Sequence, residues 1–462
     1  MIDLSDCRKI HCIGIGGIGL SAIADILIER GYDVSGSDMK SGIMTDKLSA
    51  KGARIFIGHR AENVDDADLV VYTVAVSDDN PELVRARELG IPAVTRAQML
   101  GAIMEEYEYS IAVSGTHGKT TTTSMISLIL RNAGKDPTIA VGGNLSEIGG
   151  NVAVGRSRYF VTEACEYRDS FLNLKPVIEI ILNIDSDHLD YFKDIDHIVA
   201  SFNEFAGLVP DNGYIIAYDA NPFVNSVVKN RPNVVTFGFS ENCTYCGSDI
   251  EFINGMPQFT VSTEGRALAR IQLAVPGEHN ILNAMAAFVC CHMLGTDVDV
   301  IKSTLENYGG TARRFDIQGK TADGRTVVDD YAHHPTEIRA TLAAACNVPH
   351  RQLWCMFQPH TYTRTLALFS EFGRAFENAD KVVLTEIYAA REKNTYNISS
   401  QDLLNEIKKN YPDKEVYYFA EKEEAAQFVY NKSMPEDLIL TMGAGDIYKA
   451  GEIILKMDEE QK

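Results

Sequence analysis

The stretch Ser110-Ile-Ala-Val-Ser114-Gly-Thr-His-Gly-Lys119-Thr120 decides how this chain is read. A short apolar run ends in a glycine-bracketed loop, and Met125, Ile126, Ile129 and Leu130 then recur at helical spacing. The pattern predicts a buried strand, a tight loop and a one-faced helix. Such a loop turns backbone N–H groups toward phosphates, its lysine reaches the terminal phosphates, and the next hydroxyl ligates Mg²⁺. The longer form of the motif has its first glycine where this chain has Val113, so the match is to the shorter form Gly115-Thr-His-Gly-Lys-Thr120. Gly115, Thr116, His117, Gly118, Lys119, Thr120 and Thr121 are therefore expected to hold ATP.

The same strand–loop–helix pattern occurs earlier. Lys9–Ile13 reads as a buried strand, Gly14-Ile-Gly16-Gly17-Ile-Gly19 follows, and Leu20, Ile23, Ala24, Leu27 and Ile28 line one helix face. Gly14, Gly16 and Gly19 fit the fingerprint that lets backbone approach a pyrophosphate, and the strand from Tyr32 ends at Asp38, where a ribose-binding acid belongs. By itself this loop serves NAD or any sugar nucleotide equally well.

Downstream of the second loop, the strand Arg158–Thr162 delivers Glu163, with Glu166 following, and the strand Val177–Ile184 ends in Asp185-Ser-Asp187-His188-Leu-Asp190. Ligands gather at the carboxyl ends of parallel strands, so both clusters are expected to face the phosphate loop. Thr120, Glu163 and His188 are the candidate ligands of a Mg²⁺ ion.

The rest of the chain frames these sites. At 462 residues it suggests about three domains. Strand and helix patterns alternate almost throughout, which predicts α/β domains with mostly parallel sheets. The boundaries are drawn at 1–107, 108–312 and 313–462, where strand–loop–helix units restart. A net charge of −21 argues against a nucleic-acid binder. No apolar run is long enough to span a membrane, and the first residues do not read as a secretory signal. Nine cysteines, odd in number and sparse, point to a reducing cytoplasm rather than a disulfide scaffold. Cys243-x-x-Cys246 has no second pair or spaced histidine to make a metal site, and Cys290-Cys291 and Trp354 read as core.

Taken in order, the motifs resemble the Mur ligases, the ATP-dependent amide-forming enzymes of peptidoglycan synthesis. The resemblance rests on Gly14–Ser21, Gly115–Thr123, Glu163-Ala-Cys-Glu-Tyr…Ser170-Phe-Leu172 and Asn183-Ile-Asp-Ser-Asp-His188. It continues through Gly277-Glu-His279-Asn280…Asn283-Ala284, Arg313-Arg314-Phe315 and Asp329-Asp330-Tyr331-Ala-His333-His334-Pro335-Thr-Glu337. Gln358-Pro-His360-Thr-Tyr-Thr-Arg364-Thr and Gly443-Ala-Gly445-Asp446 complete it.

The resemblance, nearest to the alanine-adding branch, implies a Rossmann-like first domain, a P-loop ATPase domain and a Rossmann-like third domain. It implies UDP in the first domain, held by Gly14, Gly16, Gly17, Gly19, Ser21, Asp38 and Thr73. His279, Asn280 and Asn283 look like adenine-side contacts, Arg314 a nucleotide contact at the hinge, and Asp330 its ribose-side partner. Tyr331, His333, His360 and Arg364 stand where the family lines its amino-acid site. Two departures show. Some relatives carry Arg directly after Gln-Pro-His, where this chain has Thr361, so Arg364 or another residue must hold the amino-acid carboxylate. Sister ligases carry a carbamylated Lys after the metal His; here Ser201-Phe-Asn203 offers none, and no carbamyl-lysine is expected.

The implied reaction joins L-alanine to the lactyl carboxylate of UDP-N-acetylmuramate. ATP phosphorylates the carboxylate, the alanine amine attacks the acyl phosphate, and phosphate leaves. Lys119, His188, His333 and Arg364 are the candidate catalytic residues, with His333 either the acid/base for the amine or a positioning contact. A recycling ligase that accepts a preformed tripeptide is the alternative within the family, and an NAD-dependent oxidoreductase the alternative outside it. The expected partners are small molecules, and the chain is a monomer or a homodimer.

Overall fold

The computed structural model describes residues 4, 7–73, 75–188, 191–390 and 392–460. Asp190 lies outside them. Three sheets follow one another along the chain. The first has five parallel strands in the order Arg54–Ile57, Asp33–Asp38, Lys9–Ile13, Leu69–Tyr72, Ala93–Thr95. This is the dinucleotide-binding order 3-2-1-4-5, and its switch point, between Lys9–Ile13 and Leu69–Tyr72, lies beside the Gly14 loop.

The second sheet has ten strands. Its parallel centre runs Val234–Gly238, Tyr214–Tyr218, Ile178–Ile181, Tyr109–Ser114, Tyr159–Glu163, Thr138–Leu145. Both ends depart from the expected βα alternation. Gly150–Ala153 folds back antiparallel on one edge, and at the other edge Tyr245–Ile253, Met256–Thr263 and Arg266–Gln272 form an antiparallel meander. The meander turns are Asn254-Gly255 and Glu264-Gly265, with φ of +51°, +84°, +50° and +73°. Positive φ at both central residues marks the two-residue hairpin whose twist matches its strands. The Asn-Gly pair is the sequence signal for it.

The third sheet runs Asp316–Lys320, Thr326–Asp330, Leu438–Met442, Leu353–Phe357, Lys381–Leu384, Glu415–Tyr418, parallel except for its first strand. Trp354, Cys290 and Cys291 are buried in the core. The helix Lys119–Asn132 is buried over most of its surface, with Met125, Ile126, Ile129 and Leu130 wholly enclosed. Truncating one of them costs about 2–5 kcal/mol. That burial anchors the loop at its N-terminus.

Candidate active site

Strand register assembles the centre of the site. Ile181 pairs with Ser114 and Glu163 with Val113, so three loops leave the carboxyl ends of adjacent strands side by side. They are 115–120, the segment following Glu163, and 182–188. The phosphate loop is then bolted to the third of these. Asn183 Oδ1 accepts from His117 N at 2.8 Å, its Nδ2 donates to the His117 carbonyl at 3.0 Å, and Asp185 N donates to Thr116 Oγ1 at 2.9 Å. Gly118 has φ +88°, and a Cβ there would lie 2.4 Å from Asn283 Oδ1. Only glycine fits.

Lys119 is not idle. Its Nζ donates to the carbonyls of Gly115 and Thr116 and forms an ion pair with Glu166 at 2.9 Å. Glu166 is buried, and its other oxygen lies 4.0 Å from His188 Nε2. Burial opposes the lysine's charge, but the Glu166 carboxylate outweighs it and holds the ammonium protonated.

Glu163 and Thr120 each pack against one of two consecutive glycines of the strand Thr138–Leu145. A Cβ on Gly142 would sit 2.9 Å from a Glu163 oxygen, and one on Gly143 would sit 3.0 Å from Thr120 Cγ2. Glu163 Oε1 accepts from Gly142 N at 2.6 Å. The Thr120 hydroxyl and Glu163 Oε2 have no hydrogen-bond partner among the described residues. A free hydroxyl and a free carboxylate oxygen are the hard donors that suit a Mg²⁺ keeping water and phosphate in its other positions. His188, at φ +54°, packs its ring 4.7 Å from Tyr167. The group whose ligand atoms all lie within 4.8 Å is instead His117, Asp185 and His334. Both nitrogens of His334 are in use there, accepting from Thr336 N and donating to the Ser186 carbonyl.

Those last contacts belong to a seam between the phosphate loop and the third sheet's loops. His117 Nδ1 lies 3.2 Å from Glu337 and its Nε2 3.4 Å from Asp185. Burial pulls the imidazole down, yet hydrogen bonds to Asp185 and Glu337 push it up to about 9. Thr336 Oγ1 donates to Asp185 at 2.9 Å. Arg364 donates from Nε and Nη2 to Asp187 Oδ1 at 3.2 and 3.1 Å, with both side chains largely buried. Asp185, Asp187, His334 and Glu337 carry this seam; the first two stand in the cluster expected to face the phosphate loop, and none of the four is among the candidate site residues. Their signal was only their place inside the motifs.

Two cavities border the seam, and a third lies at the Gly14 loop. The first, about 480 Å³, is lined by His117, Gly118, Thr121, His279, Asn280, Asn283, Arg314 and Asp330. Tyr218, Phe223 and Phe237 give it an aromatic wall. Asn280 and Asn283 line it while bracing each other at 3.1 Å, and Asn283 also accepts from Thr122 of the loop helix. Asp330 accepts backbone N–H bonds from Phe315 and Ala332, both at 2.7 Å, and burial raises it to about 6. The second cavity, about 720 Å³, holds Asp187, His188, His360, Thr361 and Arg364. The third, about 450 Å³, holds Gly14, Gly17, Gly19 and Thr73 opposite Gly142 and Glu163.

Some expected residues sit elsewhere. Ser21 is buried, and its hydroxyl donates back to the Ile18 carbonyl at 2.9 Å. Asp38 Oδ2 accepts from Gly16 N at 2.9 Å, so a carboxylate already occupies that loop amide. Tyr331 is stacked against Arg313 and Arg314, which lie 5.0 and 5.2 Å from its ring. His333 Nδ1 is 2.9 Å from the Tyr331 carbonyl, which can only accept, so Nδ1 carries the proton and Nε2 is left as the acceptor. Burial lowers His333 to about 4, and His360, buried beside Arg364, also to about 4.

Family models match the chain over most of its length: "Mur ligase family, catalytic domain" over residues 9–108, "Mur ligase middle domain" over 113–291, and "Mur ligase, glutamate ligase domain" over 313–445. A UDP-N-acetylmuramate–L-alanine ligase of Acetivibrio thermocellus is 50% identical over 99% of this chain and 97% of its own. One of Caldanaerobacter subterraneus subsp. tengcongensis is 49% identical over 99% and 100%. The solved UDP-N-acetylmuramate–alanine ligase of Thermotoga maritima superimposes with a TM-score of 0.82 at 31% identity, covering 98% of this chain and all of that one.

Proposed function

This chain belongs to the Mur ligase family, and from that membership we infer that it is the ATP-dependent ligase that joins L-alanine to UDP-N-acetylmuramate in peptidoglycan precursor synthesis. The observation that carries the reading is near-50% identity, end to end, to ligases named for that reaction. A nicotinamide oxidoreductase does not fit a chain whose three parts all match one ligase family. Among the described residues no helix is long and apolar enough to cross a membrane. We assign the reaction to the cytoplasm, whose reducing conditions suit nine cysteines that form no disulfide among the described residues.

Each cavity then has an occupant. UDP-N-acetylmuramate enters the third, with its diphosphate on the Gly14 loop and its lactyl carboxylate toward Glu163. ATP enters the first, its base against the aromatic wall and its phosphates on 115–121. L-Alanine enters the second. A carboxylate and a triphosphate repel each other, so the first step needs positive charge held in advance at the transferring group. Lys119 supplies one charge once phosphate takes the place of Glu166, and the His117 imidazolium supplies another. Thr120, Glu163 and His188 would hold Mg²⁺, which adds charge neutralisation on the phosphates. His333 offers Nε2 as an acceptor to the alanine ammonium. Burial disfavours the imidazolium, which makes His333 a weak base and supports a positioning role. The Arg364–Asp187 and His117–Glu337 contacts close the third sheet's loops over the centre, shielding an acyl phosphate from water.

Phosphate release measured with each component withheld tests this. Turnover is expected only with ATP, Mg²⁺, UDP-N-acetylmuramate and L-alanine together. Turnover with a preformed tripeptide in place of L-alanine would move the assignment to the recycling branch.

A further inference from the structure

We propose that Arg168, on the middle domain's loop, holds the carboxylate of the incoming amino acid. This rests on the reading of the second cavity as the amino-acid site. An amino acid enters as a zwitterion, so its site needs a cation for the carboxylate. The second cavity offers two guanidiniums, Arg364 and Arg168. Arg364 is already committed, donating to Asp187 from two nitrogens and to His360 Nδ1 from the third, at 3.3 Å. Arg168 makes no hydrogen bond or ion pair among the described residues, and its guanidinium carbon lies over the Tyr167 ring at 5.6 Å. It is exposed to solvent at the cavity wall. Thr361, across the same cavity, brings no charge.

The backbone under Arg168 is held for a purpose. Arg168 and Asp169 have φ of +54° and +53°, two consecutive left-handed residues without a glycine. Such a conformation persists only where neighbours enforce it. Here Asp169 accepts hydrogen bonds from Tyr191 OH and Ser201 Oγ, and Asp169 N donates to the Glu166 carbonyl at 2.9 Å. The turn thus fixes Glu166 against Lys119 on one side and presents Arg168 to the cavity on the other. A carboxylate seated on Arg168 would lie within the cavity that also holds His188 and His360, and His188 Nε2 is 4.0 Å from the Glu166 carboxylate that pairs with Lys119.

The test compares Arg168→Ala, Arg168→Gly and Arg168→Lys in the full chain by steady-state phosphate release. Losing a charged hydrogen bond is expected to raise the KM for L-alanine about 10- to 100-fold in both the Ala and Gly variants. The KM values for ATP and UDP-N-acetylmuramate are expected to stay within about twofold, and Arg168→Lys to recover part of the loss. Wild-type enzyme should reject alaninamide relative to L-alanine, and that preference should collapse in both variants. Ala bears the same left-handed strain that Arg168 already bears and Gly relieves it, so a purely structural role predicts changes in stability without a selective change in the L-alanine KM in either variant. That pattern overturns the proposal, as does an unchanged L-alanine KM, or a shift confined to the UDP-sugar. Wild-type enzyme that turns over ATP without any need for L-alanine would instead remove the functional reading beneath it.

Discussion

The two glycine loops start from the same local design and end in opposite electrostatic settings. Each follows a buried parallel strand and opens a helix, at Gly14–Gly19 and at Gly115–Thr120. The first has no cation among its own residues, only the Arg96 guanidinium packed against Gly19, and its Gly16 amide is capped by Asp38. The second keeps Lys119 and His117 charged by setting acidic partners beside them, the largely buried Glu166 and Glu337 and the half-exposed Asp185. One loop only seats a diphosphate. The other must draw a triphosphate toward a carboxylate, which requires positive charge already in place. Motif shape marks where phosphate goes, and the buried counter-charges mark which loop does chemistry.

Four experiments probe this contrast. Lys119→Ala is expected to lower turnover by about a thousandfold with the fold retained, as removal of a transition-state donor does. Circular dichroism and phosphate release check it, and near-normal turnover would put the two loops on an equal footing. Asp187→Asn loosens the grip on Arg364, and kcat should fall about 10- to 100-fold while UDP-N-acetylmuramate binding, measured by calorimetry, stays unchanged. Loss of UDP-sugar binding would show that the clamp is not confined to the second loop's side.

The third experiment uses pH. His117 is raised from 6.5 to about 9, so its contribution is complete below about 6.5 and fades as pH rises through 9. Thermal stability should decline across that window by an amount on the order of 3 kcal/mol, and His117→Asn or Glu337→Gln should flatten the decline. An equal decline in those variants would assign it to other groups. The smallest effect belongs to the first loop. Asp38→Asn removes a carboxylate that competes with diphosphate for Gly16 N, and the KM for UDP-N-acetylmuramate should drop about two- to fivefold. A rise would mean that Asp38 binds the sugar nucleotide rather than guarding its loop.

Much of the architecture was legible because its signals are local. Glycines at 14, 16, 115 and 118, a buried strand before each loop and a one-faced helix after it are short-range patterns, and family likeness ordered them. The antiparallel meander at 245–272 breaks the βα alternation expected of the chain, and its signal is turn chemistry, Asn254-Gly255, rather than hydrophobic period. Ser21 and Asp38 show the reverse case. Their spacing placed them in the loop, but whether a hydroxyl or carboxylate faces ligand or backbone depends on one side-chain torsion.

By its own order of residues, the chain settled that three α/β units follow one another and that two of them present phosphate loops, since period and glycine placement act within a few residues of each position. Only the folded molecule decided which charges meet. Lys119 is 47 residues from Glu166, His117 220 from Glu337 and Arg364 177 from Asp187. Parallel register and the docking of the third sheet's loops join those partners, and in a buried seam the pairing sets protonation, reach and which arginine stays free.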